Sequence, residues 1–217
     1  MSDAVMLASW PAPANIVAGT TLRNGGETNL PTQPQAIKQV HGARAVLLGS
    51  ADFDGGTPDA DAVIGTQPGD ICVVQTADCL PVLLCSTDGQ EIAAVHAGWR
   101  GLAGGVIEAT VARMTSTASD LIAWLGPAIS QGAFEVGDDV RQLFRSRSGD
   151  ENDLFVANDR GRWQADLFGL ASARLKKMGI GEIYGDRLCT YDDADRFFSY
   201  RRDGKTGRLL SFVHRHS

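Results

Sequence analysis

Residues 71–114 read ICVVQTADCLPVLLCSTDGQEIAAVHAGWRGLAGGVIEATVARM, and a change of hydrophobic period inside this stretch decides the fold class. Residues 71–75, 82–85 and 92–95 are short apolar runs rich in β-branched side chains and punctuated by Asp, Pro and Gly, the signature of strands. Just past His96 the period changes. Val106, Ile107, Thr110, Val111 and Met114 recur at helical spacing, so residues 104–114 are expected to form an amphipathic helix. Strands followed by a packed helix describe an α/β chain.

Working outward, residues 36–40, 45–48 and 62–64 read as further strands, whereas NGGETNLPTQP at 24–34 reads as loop. The first 35 residues are therefore expected to be a largely irregular N-terminal segment. Downstream, 121–125 reads as a strand ended by Gly126 and Pro127, 136–144 as a short helix after a turn at Gly132, and 166–178 as a helix closed by Gly179. A strand around Ile183, the charged loop DDADRFFSYRRDGKTG and a strand at 208–213 follow. No internal repeat, low-complexity tract or linker divides the chain, so residues 1–217 are expected to form a single domain.

Composition narrows the function classes. Hydrophobic residues make up 43% of the 217 positions and charged residues 21%, ordinary globular values, and 25 glycines imply many turns or close backbone approaches. A net charge of -6 argues against a protein that works by neutralising nucleic-acid phosphates. A small soluble ligand fits better. No run of eighteen apolar residues provides a membrane helix, and the N-terminus lacks a basic-led secretory signal, so a cytoplasmic protein without membrane partners is expected. Cysteines 72, 79, 85 and 189 form no CxxC pair or disulfide framework. Cys72 and Cys85 lie inside apolar strands and read as core.

His41 in QVHG, Cys79 in TADCLP and His96 in VHAGWRG each fall at the end of an expected strand or in the turn beyond it, where a rigid sheet presents groups to a cleft. Two imidazoles and a thiolate form a three-ligand set suited to Zn²⁺, leaving a fourth position open, and zinc there would lower the pKa of a bound water towards about 7. The spacing matches no local zinc motif. Taken singly, His41 also reads as structural and Cys79 as a small buried residue. His96 stands beside Gly98 and Gly101, just before a helix start where Arg100 is a candidate anion contact, or else a surface ion-pair partner. In RFFSYRRDG, Arg196, Arg201 and Arg202 alternate with Phe197, Phe198 and Tyr200, a mixture suited to stacking on a purine and holding phosphate or ribose oxygens. The alternative is a hairpin with apolar residues inward. Arg23 in the LRNGG turn is a weaker candidate cation. Asp78 and Asp61 each read as a ligand-orienting group or a strand end, and His214 and His216 as a solvated tail.

QVHG at 39–42, DADAV at 59–63, TADCLPVLL at 76–84, HAGWRGLAGGV at 96–106, WLGPAI at 124–129, FEVG at 134–137 and FFSYRRDGKTGR at 197–208 together resemble one family. It is the purine nucleoside phosphorylase family, formerly called polyphenol oxidase or laccase-domain proteins, which includes the bacterial peptidoglycan editing factor. The resemblance implies a single α/β domain of mixed β-sheets packed between helices, a layered α/β/β/α arrangement like that of the putative cysteine hydrolases. It implies a zinc site on His41, Cys79 and His96. It further implies phosphorolysis of adenosine, inosine and S-methyl-5'-thioadenosine to base and (methylthio)ribose 1-phosphate, and hydrolytic deamination of adenosine to inosine. In this reading Cys79, His96 and the proton shuttle Asp78 are catalytic, and Arg23, Arg100, Phe197, Ser199 and Arg201 bind purine nucleoside and phosphate. One departure is the short stretch 31–38 before QVHG, which is longer in family members and implies a different pocket wall.

Three other functions stay open at this level. The first is a metal-free cysteine amide hydrolase, with Cys79 as nucleophile and His96 as base, acting on peptidoglycan precursors. The second is copper-dependent phenol oxidation, for which four histidines are too few. The third is a non-catalytic metal- or purine-binding module. Oligomeric state has no signature in the sequence.

Overall fold

The computed structural model describes residues 4–25, 30, 33–148 and 152–216, with 146–148 described by their backbone. Along the chain run Val5–Leu7 (β1), Ile16–Thr21 (β2), Ala45–Leu47 (β3), Ala62–Gly65 (β4), Ile71–Thr76 (β5), Leu80–Ser86 (β6) and Ile92–Ala97 (β7). Trp99–Gly104 (α1), Val106–Arg113 (α2), Leu121–Leu125 (β8), Glu135–Val136 (β9) and Asp138–Ser148 (α3) follow. Phe155–Ala157 (β10), Trp163–Ala165 (β11), Leu167–Lys177 (α4), Glu182–Tyr184 (β12), Tyr200–Asp203 (α5) and Leu209–Arg215 (β13) complete the described elements.

All seven residues of β6 are buried because both faces of its sheet are covered. That sheet has the order β12-β8-β6-β7-β4-β3, with parallel pairs at its two edges and antiparallel pairs between. A second, antiparallel sheet has the order β1-β2-β13-β5. The two-residue period of a strand sorts the side chains. Val82, Leu84, Ala93 and Val95 pack with Leu102, Ile107, Leu170 and Phe168 of the helices. Leu83, Cys85, Ile92 and Ala94 pack with Ile16, Cys72, Val74 and Val213 of the second sheet. The chain is thus mixed α/β, with two facing sheets and helices α1, α2 and α4 against the outer face of the larger one.

The helices begin and end where local chemistry requires. Gly105 takes φ 91, a left-handed turn that closes α1 and opens α2. In α2 the buried residues are Val106, Ile107, Thr110 and Val111, as the helical spacing predicts. Asp166 caps α4 by accepting the Gly169 N–H at 3.0 Å, and Gly179 lies just beyond the helix with φ 98.

Three sequence expectations and one alternative reading need correction. The N-terminal segment carries strands β1 and β2, because β13 from the far end of the chain supplies a partner for residues 16–20. The strand expected at 36–40 reduces to a single bridge, Lys38 to Asp59. There the Asp61 carboxylate takes the backbone N–H groups of Val40, His41 and Gly42 that a ladder would use. His214 is buried within β13, since pairing to both β2 and β5 carries that strand through Arg215. His216, just past the strand, is exposed. The alternation in RFFSYRRDG forms no hairpin but a turn and α5, whose first turn Ser199 caps through the Arg202 N–H. Residues 26–29 and 31–32, which carry part of the expected N-terminal loop and of the short stretch before His41, lie outside the described residues.

Candidate functional site

His41, Cys79 and His96 come from a loop, a tight turn and a strand, and the fold brings them together. Cys79 lies in the turn between β5 and β6, His96 near the end of β7, and the 6–7 ladder pairs Pro81 with His96. His41 and Asp78 both adopt positive φ, 60 and 92, a conformation that costs non-glycine residues energy and needs support from around them. That support is visible. Asp61 holds the 40–42 loop through three backbone N–H groups, and Asp78 accepts from the Thr190 hydroxyl at 2.7 Å and the Arg201 backbone N–H at 2.6 Å.

The ligand atoms of His41, Cys79 and His96 lie within 4.8 Å of one another, and no other such trio of His, Cys or carboxylate occurs among the described residues. Cys79 Sγ is 4.0 Å from His41 Nε2, and the two imidazoles meet edge to face at 4.7 Å between centroids. A tetrahedral zinc holds such atoms about 3.5 Å apart, so small side-chain rotations would close the set. His96 Nδ1 donates to Asp61 Oδ1 at 2.8 Å, which leaves Nε2 to face the trio. The donor set therefore fits a zinc ion. Gly98 makes room for it: a Cβ there would come within 2.9 Å of Cys79 Sγ.

The electrostatics favour a thiolate. Burial opposes ionisation of Cys79, but hydrogen bonds from His41 and His96 and their charge bring its pKa down to about 7. Burial likewise disfavours charge on His96, yet the Asp61 carboxylate and the Cys79 sulfur raise it to about 9. Asp61 is itself held below the usual carboxylate range: burial resists its charge, and His96 and the 41–42 N–H groups outweigh it.

The trio borders a cavity of about 630 Å³. Asp78, Trp99, Arg100, Phe134, Tyr200 and Arg201 line it, together with Arg208 and Thr76, whose buried hydroxyl has no partner among the described residues. Arg100 and Arg201, both singled out in the sequence, line this cavity. Phe197 and Ser199 are fully buried, so Phe197 presents no face to a ligand and the Ser199 hydroxyl is spent on the α5 cap. Of the rings in the 197–200 segment, the one that lines the cavity is Tyr200, 62% exposed. Arg23 points elsewhere, to the Ala194 carbonyl and Asp203.

Sequence reasoning left Asp61 ambiguous and overlooked Arg208. Asp61 had a signal, its place in DADAV between two strands, but only the fold reveals its four acceptor contacts. Arg208 had none beyond ending the GKTGR turn.

A family model described as multi-copper polyphenol oxidoreductase laccase matches residues 16–216. A purine nucleoside phosphorylase, YfiH, of Escherichia coli strain K12 is 37% identical, with 96% of this chain and 98% of the relative aligned. The purine nucleoside phosphorylase of Haemophilus influenzae is 39% identical, covering 94% and 96%. The crystal structure of Neisseria meningitidis protein NMB0706 superposes with a TM-score of 0.90 at 39% identity, covering 99% of this chain and 100% of that one. YlmD from Geobacillus stearothermophilus gives 0.87 at 26% identity, covering 100% and 98%.

Proposed function

Because the chain belongs to the multi-copper polyphenol oxidoreductase laccase family, we infer that it is a zinc-dependent purine nucleoside phosphorylase that also deaminates adenosine. Its substrates are adenosine, inosine and S-methyl-5'-thioadenosine. Phosphorolysis breaks the bond from the anomeric carbon to the purine, forms a bond from that carbon to phosphate and returns a proton to the departing base. Deamination adds water at the purine C6 carbon of adenosine and breaks its bond to the amino group, which leaves as ammonia and gives inosine. The observation that carries this reading is a three-donor metal cluster opening on one cavity with aromatic rings and guanidinium groups. The names of the relatives support it.

His41, Cys79 and His96 would hold the zinc, which would supply a Lewis acid to this cavity. The chain's own groups do the rest. Tyr200 and Phe134 offer surfaces to a purine, and the buried Thr76 hydroxyl is free for a sugar or base oxygen. Asp61 orients both histidines. Asp78, expected as a proton shuttle, has an oxygen on Thr190 and an oxygen on Arg201, so its first role is to hold the 190–201 segment against the cavity. The position of the remaining histidines weighs against a His-rich multi-copper set. Of four histidines, His214 and His216 stand at the other end of β13, about 17 Å from Leu209 beside the site. We assign the enzyme to the cytosol, where a thiolate ligand stays reduced. No helix among the described residues is long and apolar enough to cross a membrane.

A second reading has its own observation, since Asp61, His96 and Cys79 are linked in the order of a Cys-His-Asp hydrolase. In it Cys79 attacks an amide, as in editing of peptidoglycan precursors. The deciding experiment incubates metal-assayed protein with adenosine, with and without phosphate, following adenine, inosine and ribose 1-phosphate by chromatography beside Cys79→Ala. Phosphate-dependent adenine or phosphate-independent inosine, lost in the variant and on chelation, is expected. Zinc-loaded protein that yields neither would overturn the nucleoside reading, and activity towards amides that survives chelation would establish the second.

A further inference from the structure

In a chain with 26 acidic residues, an arginine without a carboxylate partner is informative. Arg44, Arg113, Arg160, Arg187 and Arg202 each reach an Asp or Glu oxygen. Among the described residues, the three arginines lining the cavity beside His41, Cys79 and His96 do not. Arg100 stacks on the Trp99 ring at 4.2 Å, Arg201 donates to the Glu135 carbonyl at 3.2 Å and lies over Phe134, and Arg208 donates to the Thr206 and Gly207 carbonyls. Neutral contacts orient each guanidinium, and no carboxylate among the described residues is ion-paired with it, which leaves it available to an anion.

The fold ties all three to the cluster. In the ladder of β5 with β13, Leu209 pairs with Thr76, so Arg208 stands beside the turn that carries Asp78 and Cys79. Arg201 is fixed by its backbone N–H to Asp78, and Arg100 follows His96 by four residues at the start of α1. Three separate anchors deliver three cations to one cavity.

We propose that Arg208, with Arg201 and Arg100, forms the oxyanion pocket of this site, and that its ligand is free inorganic phosphate. The proposal rests on the phosphorolysis reading for its role and on the unpaired guanidiniums for its location. Phosphate held there has an oxygen to direct at the sugar carbon, while the purine occupies the aromatic side of the cavity. Arg23 takes no part.

The test is steady-state phosphorolysis by zinc-loaded Arg208→Ala, Arg201→Ala and Arg208→Lys, with thermal melting to verify folding and Lys177→Ala on α4 as control. Loss of one charge-assisted contact is expected to raise the KM for phosphate about tenfold to a hundredfold, with the nucleoside KM little changed and partial rescue in Arg208→Lys. An unchanged phosphate KM in both alanine variants would overturn the proposal while leaving the nucleoside activity standing. Should the wild type cleave no nucleoside, phosphorus NMR of inorganic phosphate still decides the pocket. Broadening by the wild type that is lost in Arg208→Ala supports it, and no broadening removes it. If adenosine 5'-monophosphate broadens in an Arg208-dependent way and inorganic phosphate does not, the site takes a phosphate ester and the proposal falls.

Discussion

Asp61 concentrates more of the site in one side chain than either histidine does. Its carboxylate accepts from the backbone of Val40, His41 and Gly42 and from the His96 ring, so a single substitution loosens two of the three proposed ligands. Asp61→Asn is expected to weaken zinc binding about tenfold to a hundredfold, measured by competition with a chromogenic chelator. Gly98→Ala acts from the other side. Its methyl group would meet Cys79 Sγ at 2.9 Å, and the expected outcome is a zinc content well below one per chain with the melting temperature of the metal-free protein nearly unchanged. Proton linkage gives a third expectation. With pKa values of about 9 for His96 and about 7 for Cys79, both groups must give up a proton to hold the metal, so zinc affinity should rise from pH 6.5 to 8.5. A flat profile would mean that the metal does not use these ligands.

Among the elements, the turn after α2 depends on an ion rather than on packing. Glu91, 4% exposed, accepts from the backbone of Thr115 and Ser116 and from the Ser116 hydroxyl. Burial resists its charge, yet these donors hold its pKa below the usual glutamate value. Its contribution is therefore complete above about pH 4.3 and is lost as the pH falls through the lowered native value. Glu91→Gln should cost about 1–3 kcal/mol in urea unfolding at pH 7, with the difference from wild type shrinking in acid. A difference that persists unchanged at pH 3 would point to packing instead.

At the scale of the molecule, the two sheets meet across an apolar core that includes none of His41, Cys79 and His96. Leu83→Ala, fully buried there, should cost about 2–5 kcal/mol whether or not zinc is present. Zinc removal should lower the melting temperature without unfolding the chain, since a ligand at a thousandfold its Kd contributes only about 4 kcal/mol. Much of this architecture was legible in advance. The run at 82–85, the change of period after His96 and the glycine that closes α4 are local signals, because burial on two faces, helical spacing and helix termination leave their marks within a few neighbouring residues. The cluster of His41, Cys79 and His96 was legible through its motifs, although separations of that length follow no local rule. Other features waited on the fold. Strand β2, interrupted by Gly19, exists because β13 returns from nearly two hundred residues away. Phe197 turned inward and Tyr200 outward because the segment forms a turn and a helix instead of a ladder. Arg208 reached the cavity by strand register alone. Residue order settles what a segment can do with its neighbours in the chain, whereas a site assembled from residues 41, 61, 78, 96, 201 and 208 depends on long-range pairing that no short window contains.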